Sequence, residues 1–279
     1  MKVFTFFYNR FDTATTSLAL HENGIEHIVL CHSKEDGIKF FERGTAKGIV
    51  RFTGKAKGLT NQRNAALDLM EVGEWAVFMC DDFKRAVSRP LGEIVDPSMD
   101  TLPVTMENQA KYRVRKGRDD ISLKAMFSTF PYLISKAESK GIRLVGFGLH
   151  DNPLNLRRKF CYHGLADGRF WLVKKHPYIR FDENVQMIDD VAWTAENIKR
   201  FGAVLVCNWI VPYFQRYTKD GFGSIQARLD QRREECKYLV DKYAPLVRYA
   251  AKPGWPAGTH IRLQYSKKIH RPAQKEFAF

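Results

Sequence analysis

The chain has few cysteines, no long apolar run and no low-complexity tract, and each of these shortages removes a class of protein. Its five cysteines, Cys31, Cys80, Cys161, Cys207 and Cys236, are odd in number, scattered and without CxxC spacing. They read as reduced core thiols, not as a disulfide frame or a cysteine-based metal site. No segment approaches the roughly 20 apolar residues needed to cross a bilayer, and residues 1–8 turn polar too soon for a signal peptide. The expectation is a cytosolic protein with no membrane span. Repeats and linkers are also missing, while a hydrophobic content of 44% over 279 residues supports a substantial core and argues against disorder. Negative charge is the last shortage. With 31 Asp and Glu against 45 Lys and Arg, the formal charge is +14, which favours a polyanionic partner.

The positive charge is unevenly spread. Residues 211–279 hold 14 Lys and Arg against 6 Asp and Glu, and residues 111–118 hold five basic residues in eight, among them Arg113, Arg115 and Lys116. Arg157, Arg158 and Lys159 form a third cluster, and Arg232, Arg233 and Lys237 lie on a helical segment. Aromatics such as Tyr112, Phe160 and Tyr217 lie among these charges, so the clusters offer both phosphate contacts and stacking surfaces. A generally solvated basic surface, or contact with an acidic lipid or glycan, would give the same composition.

Hydrophobic periodicity alternates between strands and helices through the N-terminal half. Strands are predicted at 2–8, 25–31, 49–52 and 75–80, with helices at 12–23, 35–42 and from 59 onward. That alternation predicts a mostly parallel sheet with helices on both faces. A long helix is expected over 119–139, kinked near Pro131, followed by a strand at 143–149. Mixed or antiparallel strands are expected at 160–162 and 170–173, then a helix at 190–200, a strand at 204–209 and a helix at 225–243. The expected organisation is a catalytic domain over 1–210 with a basic extension, 211–279, packed on it.

Residues 58–83 concentrate the chemistry. Gly58, Leu59, Thr60 and Asn61 are turn and N-cap types, and Ala65, Ala66, Leu69 and Met70 then recur at helical spacing. This places Arg63 in a first helical turn, where backbone N–H groups and the dipole favour an anion such as a diphosphate. The apolar run 75–80 reads as a strand buried on both faces, and Asp81 and Asp82 follow it. Ligands of open α/β sheets bind beyond the carboxyl ends of the strands, and two hard oxygen ligands there suit Mg²⁺ or Mn²⁺. An Asp pair after an apolar run is also an ordinary solvated loop. A second pair, Asp189 and Asp190, stands at a predicted helix start, where N-capping by Asp189 competes with a role as acceptor-activating base.

The order G-x-x-x-x-R-N, strand, Asp-Asp, then F-D-E-x-x-x-x-x-D-D resembles the GT-A family of nucleotide-sugar glycosyltransferases over roughly residues 1–210. Within it, the compact size, the basic excess and the Asn-Gln-Arg-Asn-Ala wording resemble the phage and kinetoplastid enzymes that glycosylate hydroxymethylated pyrimidines in DNA. The resemblance implies a GT-A-like, Rossmann-like fold and a Mn²⁺ or Mg²⁺ ion held by Asp82 with Asp81. It implies donor contacts from Tyr8, Asn9 and Arg10 near the base and ribose, and from Arg63, Asn64 and Asp81 around the diphosphate. Asp190 or Asp189 would be the base, the donor a UDP-hexose, and the acceptor DNA in a cytoplasm, a host's if the chain is viral. Cys80-Asp81-Asp82 replaces the D-x-D of many relatives, which leaves the direct ligand open, and His260 and His270 are candidates for a third. Three other readings compete: a GT-A enzyme with a polysaccharide, lipid or protein acceptor, a nucleotidyltransferase, and a noncatalytic DNA-binding protein.

Overall fold

The structure is a computed structural model that describes residues 1–7, 9–54, 58–88, 119–148, 160–215 and 225–264. Its centre is an eight-stranded sheet in the order β3-β2-β1-β4-β9-β7-β10-β8. Four strands, β1 (Lys2–Phe6), β2 (Ile28–Cys31), β3 (Ile49–Phe52) and β4 (Trp75–Cys80), run parallel. They are joined by α1 (Thr16–Glu22), α2 (Lys34–Glu42) and α3 (Leu59–Asp68). The chain steps outward from β1 to β2 and β3 and then returns to place β4 on the other side of β1. That reversal is a topological switch point, where the carboxyl ends of two neighbouring strands open a crevice.

Beyond β4 the sheet is mixed. Strand β9 (Phe170–Lys174) runs antiparallel to both β4 and β7 (Leu144–Phe147), as its sequence suggested. Strand β10 (Leu205–Cys207) returns parallel to β7, and β8 (Phe160–Cys161) closes the edge antiparallel. The central strands are apolar on both sides because both faces are covered. Along β4, Ala76 and Phe78 face a core shared with α3, α6 (Asp189–Phe201) and α7 (Ile225–Tyr243), while Trp75, Val77 and Met79 face the opposite core. The second core is filled from α1, α4 (Leu123–Phe127) and α5 (Phe130–Glu138).

Several expected elements differ. The single helix over 119–139 is instead β6 (Asp119–Ile121) followed by α4 and α5. Pairing of β6 with β5 (Phe83–Ser88) supplies hydrogen bonds that override local helix preference. Pro131 lies in the first turn of α5, where a missing N–H costs nothing, so it starts a helix and does not kink one. The strand expected at 204–209 ends at Cys207, turns at Asn208 and Trp209, and continues as β11 (Ile210–Phe214) in a small sheet of order β11-β5-β6. A hairpin of β12 (Val247–Tyr249) and β13 (Ile261–Leu263) completes the described chain. From 225 onward the C-terminal segment is built into the main core through Cys236, Leu239, Tyr243, Leu246, Val247 and Ile261. Among the described residues no helix is long and apolar enough to cross a membrane.

Candidate active site

Asp81 and Asp82 are the two residues between β4 and β5, at the switch point. Their backbone is held from three sides. The Asp81 carbonyl accepts from the N–H groups of Thr15 (2.8 Å) and Thr16 (3.1 Å), and the Asp82 carbonyl accepts from Gln215 N–H (2.9 Å). Thr16 Oγ1 donates to Cys80 O (2.6 Å) and accepts from Phe83 N–H (2.9 Å), tying the start of α1 to both strand ends.

Both carboxylates point at one place. Arg10, just beyond β1, puts its Nη1 2.7 Å from Asp81 Oδ1 and 2.7 Å from Asp82 Oδ2, and each carboxylate side chain is only 6% exposed. Burial opposes charge on Arg10, but the two carboxylates outweigh it and hold its pKa above the ordinary value. Burial likewise raises Asp82 against the opposing pull of Arg10. The turn that brings Arg10 back passes through Asn9 at φ +52°, a left-handed conformation that asparagine tolerates better than most residues. Tyr8 lies outside the described residues.

This donor set fits a small divalent cation. Two carboxylates already converge on one positively charged atom, and Mg²⁺ is commonly held by one or two carboxylates together with substrate phosphates and water. Among the described residues no group of three His, Cys, Asp or Glu side chains is placed to hold a metal. His260 therefore does not join the pair; it lies beside Trp255 on the C-terminal hairpin. His270 lies outside the described residues. Cys80 is pushed up to about 12 by burial, which keeps it a neutral thiol.

Arg63 occupies the second turn of α3, not the first, and is 1% exposed. Its Nη2 donates to Gly168 O (2.5 Å), its Nη1 meets Asp189 Oδ2, and its guanidinium lies 4.4 Å from the Trp171 ring centre. Burial pulls its pKa down from the ordinary arginine value. The helix start expected to cradle an anion is covered by Gln186, whose Oε1 accepts from Thr60 N–H at 3.4 Å. Arg63 thus braces the site from within in this structure. Asn64 does similar work, exchanging hydrogen bonds with the Phe181 backbone (3.0 and 2.8 Å) and donating to Glu183 Oε1 (3.0 Å).

The second acidic pair divides. The N-cap position of α6 is Ile188, so Asp189 is the first helical residue and does not cap the helix. Asp189 is committed to Arg63. Asp190 lies beside Gly168, under the charges of both Asp167 and Arg63; burial, reinforced by Asp167, outweighs the pull of Arg63 and raises its carboxyl to about 6. Gly168 packs closely there: a Cβ would lie 3.1 Å from Asp190 Cβ and 3.2 Å from Arg63 Nη2, so a larger residue would push on both by a few tenths of an ångström. Helix α6 is fixed by Trp193, stacked on Phe181 at 3.9 Å between ring centres.

Three residues not anticipated from the sequence complete the arrangement. Asp167 grips Arg169 through Nε (2.7 and 2.9 Å) and Nη2, and Arg169 lies close enough to Asp82 to feel its charge. From α7, Glu235 accepts the backbone N–H groups of Gln186 (2.9 Å), Met187 (2.9 Å) and Ile188 (3.2 Å) just before Asp189. Within 160–174, Asp167-Gly168-Arg169 reads as an ordinary turn, and Glu235 is hidden in a charge-rich helix; no local signal separates either from a solvated surface.

The expected nucleic-acid contacts are placed only in part. Arg113, Arg115, Lys116, Arg157 and Arg158 lie outside the described residues. Arg232 donates to Thr259 O (2.8 Å), stacks 4.9 Å from the Trp255 ring and lies near Asp190. Arg233 pairs with Asp230 (3.1 Å) and Lys237 with Asp241 (2.8 Å), both exposed. Helix α7 carries five basic against four acidic residues, so its own excess is slight and it is not a basic helix. In the F-D-E segment Phe181 is buried and Glu183 exposed, while Asp182 is bound to Tyr238 Oη (2.8 Å) and Lys242 Nζ (2.6 Å). No protein-family model matches the chain, and no curated protein sequence matches it.

Proposed function

We propose that the protein is a metal-dependent glycosyltransferase of GT-A type that moves a hexose from a UDP-sugar to the hydroxymethyl oxygen of a modified pyrimidine in DNA. The observation that supports this best is the convergence of Asp81 and Asp82 on one point at the switch between β1 and β4, with Asp190 presented by α6 beside Gly168. A bound Mn²⁺ or Mg²⁺, held by Asp82 and Asp81, would stabilise charge on the departing diphosphate.

The chain's own groups supply the rest. Asp190, raised to about 6, is ionised near neutral pH and basic enough to take the acceptor's hydroxyl proton as its oxygen bonds to the sugar's anomeric carbon. The bond from that carbon to the diphosphate oxygen breaks, and the electron pair leaves with the nucleoside diphosphate. Asp189, Arg63 and Gly168 set the position of Asp190, and Arg169 adds positive charge on the side of Asp82. The formal charge of +14, with clusters at 111–118 and 157–159, supports a polyanionic acceptor. A base in duplex DNA would have to leave the stack, at about a few kcal/mol.

The test is mass analysis of nucleosides from DNA containing 5-hydroxymethylcytosine or 5-hydroxymethyluracil, incubated with pooled nucleotide-sugars, Mn²⁺ and the protein. A hexose increment that Asp82→Asn abolishes, while DNA binding persists, is the expected result. Release of UDP without DNA modification moves the acceptor to a polysaccharide, lipid or protein. Release of pyrophosphate makes the protein a nucleotidyltransferase, and DNA binding with no turnover of any nucleotide-sugar makes it noncatalytic.

A further inference from the structure

The Arg10 side chain occupies the one point on which both buried carboxylates converge. Its Nη1 is 2.7 Å from each, and the backbones of Asp81 and Asp82 are pinned by Thr15, Thr16 and Gln215. Arg10 itself is held differently. It sits in a turn entered through left-handed Asn9, its side chain is 22% exposed, and the charges that hold it are these two carboxylates, with a smaller contribution from Cys80. A cation arriving at the carboxylates must therefore displace the arginine, and the arginine has an open side to move toward.

We propose that Arg10 is an exchangeable counter-ion. It neutralises Asp81 and Asp82 while no metal is bound, and swings onto the donor's diphosphate when the metal–nucleotide takes its place. This rests on the reading of Asp81 and Asp82 as metal ligands. Two like charges this deeply buried would repel if left alone, so the unloaded site needs a cation of its own. A planar guanidinium with five donors then suits a phosphate better than a point charge would. The exchange makes metal and nucleotide binding mutually reinforcing, because the nucleotide gives the displaced arginine a partner.

The experiment is Mn²⁺ binding to the full chain, followed by isothermal titration and by loss of the free-ion spin-resonance signal, with and without UDP. Arg10→Gln is expected to bind Mn²⁺ alone at least tenfold more tightly than the unaltered protein, because the cation that occupies the shared point no longer competes; Arg169, held by Asp167, stays in both proteins. UDP is expected to tighten Mn²⁺ binding by the unaltered protein, and Arg10→Gln is expected to lose most of that gain. Adding Asp82→Asn to Arg10→Gln should abolish binding. Should Arg10→Gln be poorly folded, thermal unfolding decides: Mn²⁺ should raise its transition more than it raises that of the unaltered protein, and Arg10→Lys should fall between. Equal or weaker Mn²⁺ affinity in Arg10→Gln, or no Mn²⁺ binding by either protein, overturns the proposal. None of these measurements needs a sugar or an acceptor. Failure of hexose transfer with intact exchange would therefore reject the proposed function alone.

Discussion

The carboxylate of Glu235 holds the backbone N–H of Met187 at 2.9 Å, across a separation of 48 residues. It takes the N–H groups of Gln186 and Ile188 as well, so one buried side chain of α7 fixes the approach to α6 and the position of Asp190. Replacing it with glutamine is not conservative, because the amide turns two donors toward backbone donors. Glu235→Gln should destabilise the fold by about 1–3 kcal/mol and slow transfer with little change in nucleotide affinity. Denaturant unfolding and UDP titration test the two halves separately, and lost UDP affinity would show that Glu235 supports the donor side instead.

Asp190 gives a prediction with a definite sign. Its carboxyl is raised from the ordinary 3.8 to about 6 in the folded protein, so the folded state holds the proton more tightly than the unfolded chain. The stability this provides is complete below about pH 4 and is lost as pH rises through about 6. Asp190→Asn cannot ionise and should gain on the unaltered protein above pH 6 while differing little at pH 4. Transfer by the unaltered protein should rise with pH through about 6 and be lost in the variant. Unfolding curves at several pH values read the first, and a stability difference independent of pH would reject the raised carboxyl pKa.

Arg63 answers to Asp189. Arg63→Met would leave that carboxylate buried without its partner, at a cost of about 3–5 kcal/mol. Arg63→Lys should recover only part, since an ammonium lacks the flat face that lies over Trp171. The midpoint of urea unfolding distinguishes the two, and full recovery by lysine would show that charge alone matters.

Salt dependence separates the basic clusters. Neutralising Arg113, Arg115 and Lys116 together should lower the slope of DNA affinity against salt by about 2–3. Neutralising Arg233 and Lys237 should change it less, because each already faces an acid on its own helix. Filter binding at several salt concentrations checks both, and equal slopes for all variants would remove these residues from the DNA contact.

The parallel half of the fold was legible because β1, β2 and β4 are apolar runs that the sheet buries on both faces, and because a carboxylate pair at a strand end is a local signal. Arg10 was legible as a residue near the site but not as the partner of Asp81, from which it is separated by 71 residues and joined only by the adjacency of β1 and β4. Strand β6 read as helix because three residues carry too little pattern to outweigh the helical run after them; its pairing with β5 decides it. Arg63 read as an anion contact because the turn and N-cap residue types at 58–61 placed it in a first helical turn; the helix starts at Leu59, which moves it to the second. Burial of Thr60, Asn61, Gln62 and Asn64 with Arg63 shows a helix start enclosed on every side, with its polar side chains turned into the interior.

The step from β4 to β5 takes only two residues, and those two bear the carboxylates. One strand belongs to the large sheet and the other to the small one, so neither carboxylate backbone can shift without shearing one sheet against the other. As a metal site, such a pair would discriminate by ionic radius. Calcium asks for six to eight oxygens in an adaptable shell, whereas Mg²⁺ takes a compact octahedron completed by water and phosphate. Two carboxylates on so fixed a backbone would, as metal ligands, favour the smaller ion before any other ligand is chosen.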